Sequence, residues 1–143
     1  MRPTLPLLQR RWFAFVLTAA IVGLTLATAY IHFTLGGVLF TLNALGYVGL
    51  AMAFVVAAIP FPSVERFSWL PRVGLAAFTA ITIGAYLVIG PYFSLGWIAK
   101  AVEVGMLVLL AFDVARVYRS PAGLGRAALA TLGPVGSPAA RVN

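Results

Sequence analysis

The sequence predicts an all-α membrane protein, a bundle of four transmembrane helices, and composition is the first observation behind this. Of its 143 residues, 62% are hydrophobic and 9% are charged, with a mean hydropathy of +1.03. A soluble domain of this size has too little interior to bury that much apolar surface. The second observation is that no Lys, Arg, Asp or Glu occurs from Trp12 to Val64. The third is that, if the chain crosses the membrane four times, nearly every basic residue falls on one side of the membrane.

The uncharged stretch is too long for one helix, because about 20 residues cross the hydrocarbon core. The segment HFTLGG at 32–37 combines polar residues with paired glycines, so we place a turn there. Residues 60–72 carry three prolines and both charge signs, which is typical of a loop at the membrane surface. The predicted spans cover residues 12–31, 37–59, 73–90 and 95–118.

The chain divides into a transmembrane domain and a tail. Residues 1–119 contain the four spans, and residues 120–143 are rich in Gly, Pro and Ala. Such a composition favours a flexible segment. We therefore predict a flexible cytoplasmic tail, with a short surface helix over GRAALATL as an alternative.

The arginines predict how the bundle is oriented. All nine precede the first span, lie between the second and third, or follow the fourth, and only Lys100 falls towards the opposite side. Because cytoplasmic loops carry the excess of Lys and Arg, both termini are expected in the cytoplasm, in a multi-pass protein of the cell (inner or plasma) membrane. Trp12, Trp69 and Trp97 all fall at predicted membrane interfaces, as an aromatic belt requires.

The N-terminal segment permits a second interpretation. Residues 1–29 have a basic start, an apolar middle and the Ala27-Thr28-Ala29 sequence of a cleavage site. Cleavage there would leave three spans and place the new N-terminus outside. The apolar stretch is longer than a usual signal-peptide core, so we favour the four-span interpretation.

Several function classes lack the residues they need. The chain has no cysteine and one histidine, His32, which removes thiol chemistry, Cys-ligated metals and a bis-histidine haem within one chain. It contains no HExxH motif and no plausible pair of carboxylates. The net charge of +7 is explained by the topology of a membrane protein, whose Lys and Arg residues gather on one side. The sequence lacks the clustered residues with which a nucleic-acid-binding protein contacts bases and phosphates. We expect no enzyme and no nucleic-acid partner, and the sequence names no cofactor or metal.

Polar residues inside the predicted spans form the candidate site. Lys100 and Glu103 lie three residues apart near the start of the fourth span, where charge is costly. At about 1.5 Å per residue, polar residues of all four spans reach a similar depth in the outer half of the membrane. The candidate polar pocket consists of Thr28, His32, Asn43, Thr82, Tyr86, Lys100 and Glu103.

Three interpretations of this group remain open. Lys100 could extend to the outer surface and pair with Glu103, while Asn43 and the threonines bond the helices together. Glu103 could instead line a pocket for a proton, a cation or a small ligand. The group could also contact another subunit or a lipid headgroup. At the inner end of the fourth span, Asp113 is expected to pair with Arg116 or Arg119.

A resemblance rests on His32, on the stretch LGGVLFTLNALGY at 35–47 and on the stretch IGAYLVIGPYFSLGWIAKAVEVGMLVLLAF at 83–112. The pattern resembles a loose group of small four-helix bacterial membrane proteins of unknown function. Members of that group often have a His at the end of helix 1, GxLFxLN in helix 2 and KAxE in helix 4. The resemblance implies a four-helix fold and implies that His32, Asn43, Lys100 and Glu103 belong together, without implying an activity.

Sequence alone leads to two functional expectations. The first is a non-enzymatic accessory or structural subunit of a larger membrane assembly, because the chain lacks both a soluble domain and reaction chemistry. Its partners would be membrane lipid and other subunits or further copies of the chain. The alternative is a small carrier or sensor whose outer polar pocket is centred on Glu103. A pigment or quinone held between the helices is a third possibility.

Overall fold

The part of the chain that the structure describes folds into six α-helices. The computed structural model describes residues 7–132, and side chains from Gln9 onward. No strand occurs in this part of the chain. Four of the helices (α1, α2, α4 and α5) are long and apolar enough to cross a membrane. The six helices are α1 Leu7–Leu35, α2 Val38–Ala57, α3 Pro62–Glu65, α4 Trp69–Ile89, α5 Ser94–Tyr118 and α6 Pro121–Leu132.

The first turn is tighter than the sequence predicts. α1 extends beyond both ends of the predicted 12–31 span, and helix continues through most of HFTLGG. The chain reverses at Gly36 and Gly37, whose φ angles are 70° and 86°. Glycine adopts such positive φ angles readily because it has no Cβ atom. Since α1 ends at Leu35 and α2 begins at Val38, these two glycines form the whole turn.

The predicted loop at 60–72 contains more helix than expected. α3 occupies part of it, and α4 begins at Trp69, which places Arg72 in the first turn of a helix. Pro71 is tolerated there because the first backbone N–H groups of a helix have no partner within the helix. The Arg72 guanidinium binds Asp113 of α5 at 2.8 Å, which ties the start of α4 to its neighbour.

Residues 121–132, which the sequence assigns to a flexible tail, form α6. This helix contacts α4 and α5. Two polar contacts fasten its end: the Trp69 indole donates to the Thr131 hydroxyl at 3.0 Å, and Arg66 donates to the Thr131 carbonyl oxygen at 3.2 Å. The rest of the predicted tail, residues 133–143, lies outside the described residues.

α1 packs against both α2 and α5, and α4 contacts α2 and α5 from the other side. The buried core between these helices includes Ile21, Tyr47, Phe54, Leu75 and Met106. We call one end of the bundle the glycine end, where Gly36, Gly37 and Gly90 make the α1–α2 and α4–α5 links. The opposite end, with Arg66, Arg72 and Arg116, is the arginine end. The outward faces carry many exposed Leu, Val and Phe side chains, as a lipid-facing surface does.

Gly46 sets how closely α2 and α4 approach. A Cβ added at Gly46 would lie 2.6 Å from the ring of Phe78, well inside van der Waals contact. The Phe78 ring is itself packed edge-on against Tyr47, with the ring centroids 4.9 Å apart. Small residues at such crossings let helices pack closely in membranes. Gly49, on the same helix, has nothing within 4 Å of its would-be Cβ.

Substituting Gly46→Leu is therefore expected to lower the free energy of unfolding by about 1–3 kcal/mol, the usual cost of overpacking. Gly49→Leu is the matched control, and it should be neutral or slightly stabilising because leucine favours helix over glycine. Unfolding of both variants in mixed detergent micelles measures the difference. Equal stabilities of the two variants would contradict the close α2–α4 contact.

Candidate functional site

Lys100 and Glu103 lie inside the bundle. The side chain of Glu103 is fully buried and residue Lys100 is 6% exposed. The Lys100 Nζ atom donates to Glu103 Oε2 at 2.5 Å, across the three-residue spacing that places both on one face of α5. Lys100 thus turns inward and does not extend to the surface.

α1 supplies two further partners of Glu103. The Thr28 hydroxyl donates to Glu103 Oε1 at 3.1 Å, and His32 Nε2 lies 3.7 Å from the same oxygen. Because Thr28 and His32 are four residues apart, they share one face of α1. His32 Nδ1 lies 2.8 Å from the Thr28 carbonyl oxygen, which fixes the orientation of the ring.

α4 holds Lys100 from the other side. The Thr82 carbonyl oxygen lies 3.5 Å from Lys100 Nζ, and the ammonium group is 5.4 Å from the centroid of the Tyr86 ring. An aromatic face at this distance attracts a cation. Gly96 makes the approach of Tyr86 to α5 possible, since a Cβ there would lie 2.5 Å from the Tyr86 hydroxyl oxygen. We call Thr28, His32, Lys100 and Glu103 the ion cluster.

A cavity of about 400 Å³ lies between α2 and α4, beside the ion cluster and near the glycine end. Its volume and its largely apolar lining are typical of small-molecule sites. The polar part of its wall consists of His32, Asn43, Thr82 and Lys100. Glu103 does not line the cavity and lies behind Lys100. The apolar and aromatic lining includes Leu39, Leu42, Phe78, Ile81, Ala85, Tyr86 and Ile89.

The predicted residues form two groups in the structure, one in contact with Glu103 and the other on the cavity wall. Thr28, His32 and Lys100 contact Glu103 directly. Asn43, which the sequence places near the level of Glu103, lies on the cavity wall with Thr82 and Tyr86. The mouth of the cavity is rimmed by residues with exposed side chains, among them Leu39 on α2 and Ile81 on α4. The cavity therefore opens sideways between these two helices.

Tyr47 belongs to the site, although the sequence analysis does not single it out. The residue is fully buried, and its ring centroid lies 5.7 Å from that of His32. Its hydroxyl lies near Thr79, Thr82 and Glu103, yet it makes no well-aligned hydrogen bond with any residue that the structure describes. The four-residue spacing from Asn43 to Tyr47 is the signal that could have identified it, because it places both on one face of α2.

A second buried ion group stands at the arginine end. Asp113 is fully buried, and its carboxylate accepts from Arg116 and from Arg72, the latter at 2.8 Å. Arg116 is one of the two partners expected from the sequence. The other partner is Arg72 of α4, not Arg119, which ends α5 in the left-handed conformation. Arg72 also donates to the Ser68 carbonyl oxygen and lies 5.3 Å from the Phe54 ring centroid.

The two ion groups differ in what they can do. Asp113 joins α5 to the start of α4 and satisfies two arginines, which is a structural arrangement. The ion cluster presents N–H donors to a cavity. Among residues 7–132, no group of three or more His, Asp or Glu side chains is placed to hold a metal ion.

The chain was compared with models of known protein families, with curated proteins and with solved structures, and none of them matches it.

Proposed function

We propose that the protein is a small membrane-embedded carrier or sensor that binds a lipophilic molecule with a polar head group. The molecule's body would occupy the cavity between α2 and α4, and its head would contact Lys100 and His32. The observation that carries the proposal is the cavity of about 400 Å³ with buried N–H donors on an otherwise apolar wall.

The cost of the ion pair supports a binding role. Removing two charges from water is expensive, and a buried pair is often no more stable than apolar residues of the same size. Ionisable residues inside a membrane therefore usually mark a functional pathway or ligand site. Here Lys100 of the pair lies on the wall of a cavity, which supports a role of its N–H donors in contacting a ligand.

The same contacts favour a ligand over a protein partner as the target of these polar groups. Lys100, Glu103 and His32 are all turned into the bundle, where a neighbouring subunit cannot contact them without entering the cavity. A role as an accessory subunit, which composition suggests, would place its contacts on the exposed outer faces. Those faces carry many exposed Leu, Val and Phe side chains, which contact with lipid is sufficient to cover.

We further propose an antiparallel four-helix arrangement in the cell membrane with both termini in the cytoplasm. The distribution of arginines supports this orientation, because the described arginines of the loop, of α5 and of α6 gather at the arginine end. The cavity would then open in the outer leaflet. Fusing a reporter that is active only outside the cytoplasm to residue 143 should give no signal, and the same reporter placed at Gly36 should be active.

Ligand binding is tested by mass spectrometry of the tagged protein, extracted from its native membrane in mild detergent. We expect a small molecule to remain bound to wild-type protein. Ala85→Phe should remove it, because Ala85 lines the cavity and a phenyl ring there takes up the ligand's space. Ala80→Phe is the matched control on the same helix, since both alanines are exposed but only Ala85 lines the cavity.

The outcomes separate the two functional expectations. A small molecule that is present in wild type and Ala80→Phe but lost from Ala85→Phe supports the cavity as the binding site. Wild-type protein that carries no small molecule, and instead copurifies with a protein at fixed stoichiometry, would contradict it in favour of the accessory subunit. An absorbance spectrum of the same sample tests whether the molecule is a pigment.

A further inference from the structure

The ion group at the arginine end carries one unbalanced positive charge. The single negative charge of Asp113 accepts hydrogen bonds from two guanidinium groups, those of Arg72 and Arg116. Arginine stays charged in proteins, so this group has a net charge of one. The chain has only two other acidic side chains. Neither balances the group, because Glu103 is paired with Lys100 and Glu65 forms no ion pair with a described residue.

A groove of about 530 Å³ runs beside this ion group, between α4 and α5. Arg72 is the one charged residue among those that line this α4–α5 groove, and the others are apolar. Pro121 of α6 borders it at the arginine end. Ala77 and Ala111, on its two walls, are exposed. Because both walls belong to helices long and apolar enough to cross a membrane, the groove would open towards lipid.

The shape of the groove suits a hydrocarbon chain. On α5 its lining runs from Leu107 to Ala115, which is about 12 Å at about 1.5 Å per residue. Alanines supply much of both walls, so only methyl groups project into this part of the groove. Small residues of this kind let a neighbouring chain approach the helices closely, and van der Waals packing then holds it in a membrane.

The two arginines retain N–H donors for a polar head. Of the five N–H groups of Arg72, one on Nε binds Asp113 and one on Nη1 binds the Ser68 carbonyl oxygen. Arg116 binds Asp113 through Nη2, and its side chain is 33% exposed. Arg72 lies one turn along α4 from Trp69, a residue type typical of the membrane interface. A lipid phosphate at that level could accept from both guanidinium groups.

We propose that the α4–α5 groove binds one anionic phospholipid. Its phosphodiester would accept from Arg72 and Arg116, and one acyl chain would lie between Ala77 and Ala111. One negative charge on the lipid balances the ion group, as in other basic pockets between membrane helices that bind anionic head groups. The inference goes beyond the proposed function and is independent of it, because the groove and the cavity share no lining residue.

Native mass spectrometry of the full protein in detergent tests this site. The probes are phosphatidylglycerol and phosphatidylcholine with identical acyl chains, titrated separately. Wild type should bind phosphatidylglycerol at least about fivefold more tightly, the factor that about 1 kcal/mol for one basic residue gives. Inorganic phosphate, which has the charge but no acyl chain, should not displace the lipid.

Arg116→Gln tests the charge, because glutamine can still donate to Asp113 while the ion group becomes neutral. The preference for phosphatidylglycerol should fall to within about twofold. Arg11→Gln is the matched control, since it removes one positive charge from α1, which supplies no residue to the groove. This control should keep the wild-type preference.

Ala77→Phe tests the groove without changing any charge, because a phenyl ring there takes up the space of the acyl chain. Its affinity for phosphatidylglycerol should fall to that for phosphatidylcholine. Ala80→Phe is the control, since Ala80 is also exposed on α4 but does not line the groove. This pair of variants decides the question even if Arg116→Gln cannot be purified.

Four results would overturn the lipid site. The first is equal affinity of wild type for the two lipids. The second is a preference that Arg116→Gln or Ala77→Phe retains, or that Arg11→Gln loses to the same extent. The third is displacement by inorganic phosphate, which would assign the arginines to a free anion. The fourth is a second copy of the chain that is bound to wild type and Ala80→Phe but lost from Ala77→Phe, which would assign the groove to a contact between helices.

Discussion

Replacing Glu103→Gln is expected to lower the free energy of unfolding by about 3 kcal/mol, because it leaves the buried Lys100 ammonium without its carboxylate. Lys100 is 6% exposed and its Nζ atom contacts Glu103 at 2.5 Å, so water cannot replace the lost partner. Unfolding in mixed detergent micelles measures the effect. A typical hydrogen bond between membrane helices contributes only about 0.6 kcal/mol, so a loss of that size would contradict a buried ion pair.

A double variant distinguishes an unpaired charge from damaged packing. Lys100→Met combined with Glu103→Gln removes both charges and keeps similar side-chain volumes. We expect the double variant to recover most of the stability that Glu103→Gln loses, since a buried pair can be replaced by uncharged residues at little net cost. It should nevertheless lose the small molecule that wild type retains from its native membrane, because the cavity has lost its ammonium donor. Stability losses that simply add would argue against a direct pair.

Asp113→Asn is expected to have an effect of similar size, a loss of about 3–5 kcal/mol. The fully buried carboxylate accepts from Arg72 and Arg116, and Arg72 is itself 7% exposed. Neutralising Asp113 leaves Arg72 charged between Phe54 and Tyr118, away from water. Thermal or detergent unfolding of the variant measures the loss.

Glu65→Gln is the matched control for Asp113→Asn. The chain has only three acidic residues, and Glu65 lies at the same end of the bundle as Asp113 but is exposed. Its neutralisation should change stability by less than about 0.5 kcal/mol, as surface substitutions usually do. A similar cost for both variants would mean that the arginine end responds to net charge and not to the buried Arg72–Asp113 contact.

The fold was largely predictable because composition and length constrain a membrane helix strongly. The prediction of an all-helical chain with four helices long enough to cross a membrane is confirmed. Helix ends were harder to place, since hydropathy marks the hydrocarbon core and not the helix itself. α4 starts at Trp69 because the Arg72–Asp113 contact stabilises its first turn, and that contact joins residues 41 positions apart in sequence.

The sequence predicted how deep in the membrane the residues of the candidate site lie, but not the direction in which their side chains point. Counting residues along each span placed Thr28, Asn43, Thr82, Tyr86 and Glu103 near one level. In the structure Thr82, Tyr86 and Glu103 contact Lys100, Thr28 contacts Glu103, and Asn43 lines the adjacent cavity. Depth could not show that Lys100 turns inward, because that depends on how α5 is rotated against α1 and α4. The cavity was also beyond sequence analysis, since it arises where α2 and α4 separate beyond the Gly46–Phe78 contact.

Tyr47 is a residue of the site that a search of the sequence for charged side chains does not find. Its apolar ring packs with Phe78 and reads as core in the sequence, yet its hydroxyl is directed at the ion cluster. Arg72 is the opposite case, a charged residue that is buried in the structure. Its charge suggested a loop at the membrane surface, but two acceptors and two aromatic rings allow it to be buried.

The most direct test of the binding site is a crystal structure of the wild-type protein, extracted from its native membrane in mild detergent and crystallised in a lipid mesophase. We predict elongated density between α2 and α4, with the polar head of the molecule within about 3 Å of Lys100 Nζ, a charge-assisted hydrogen bond. The same density should be absent from Ala85→Phe. Helices α2 and α4 closed against each other, or an alkyl chain with no polar contact to Lys100, would contradict a ligand site built on the ion cluster.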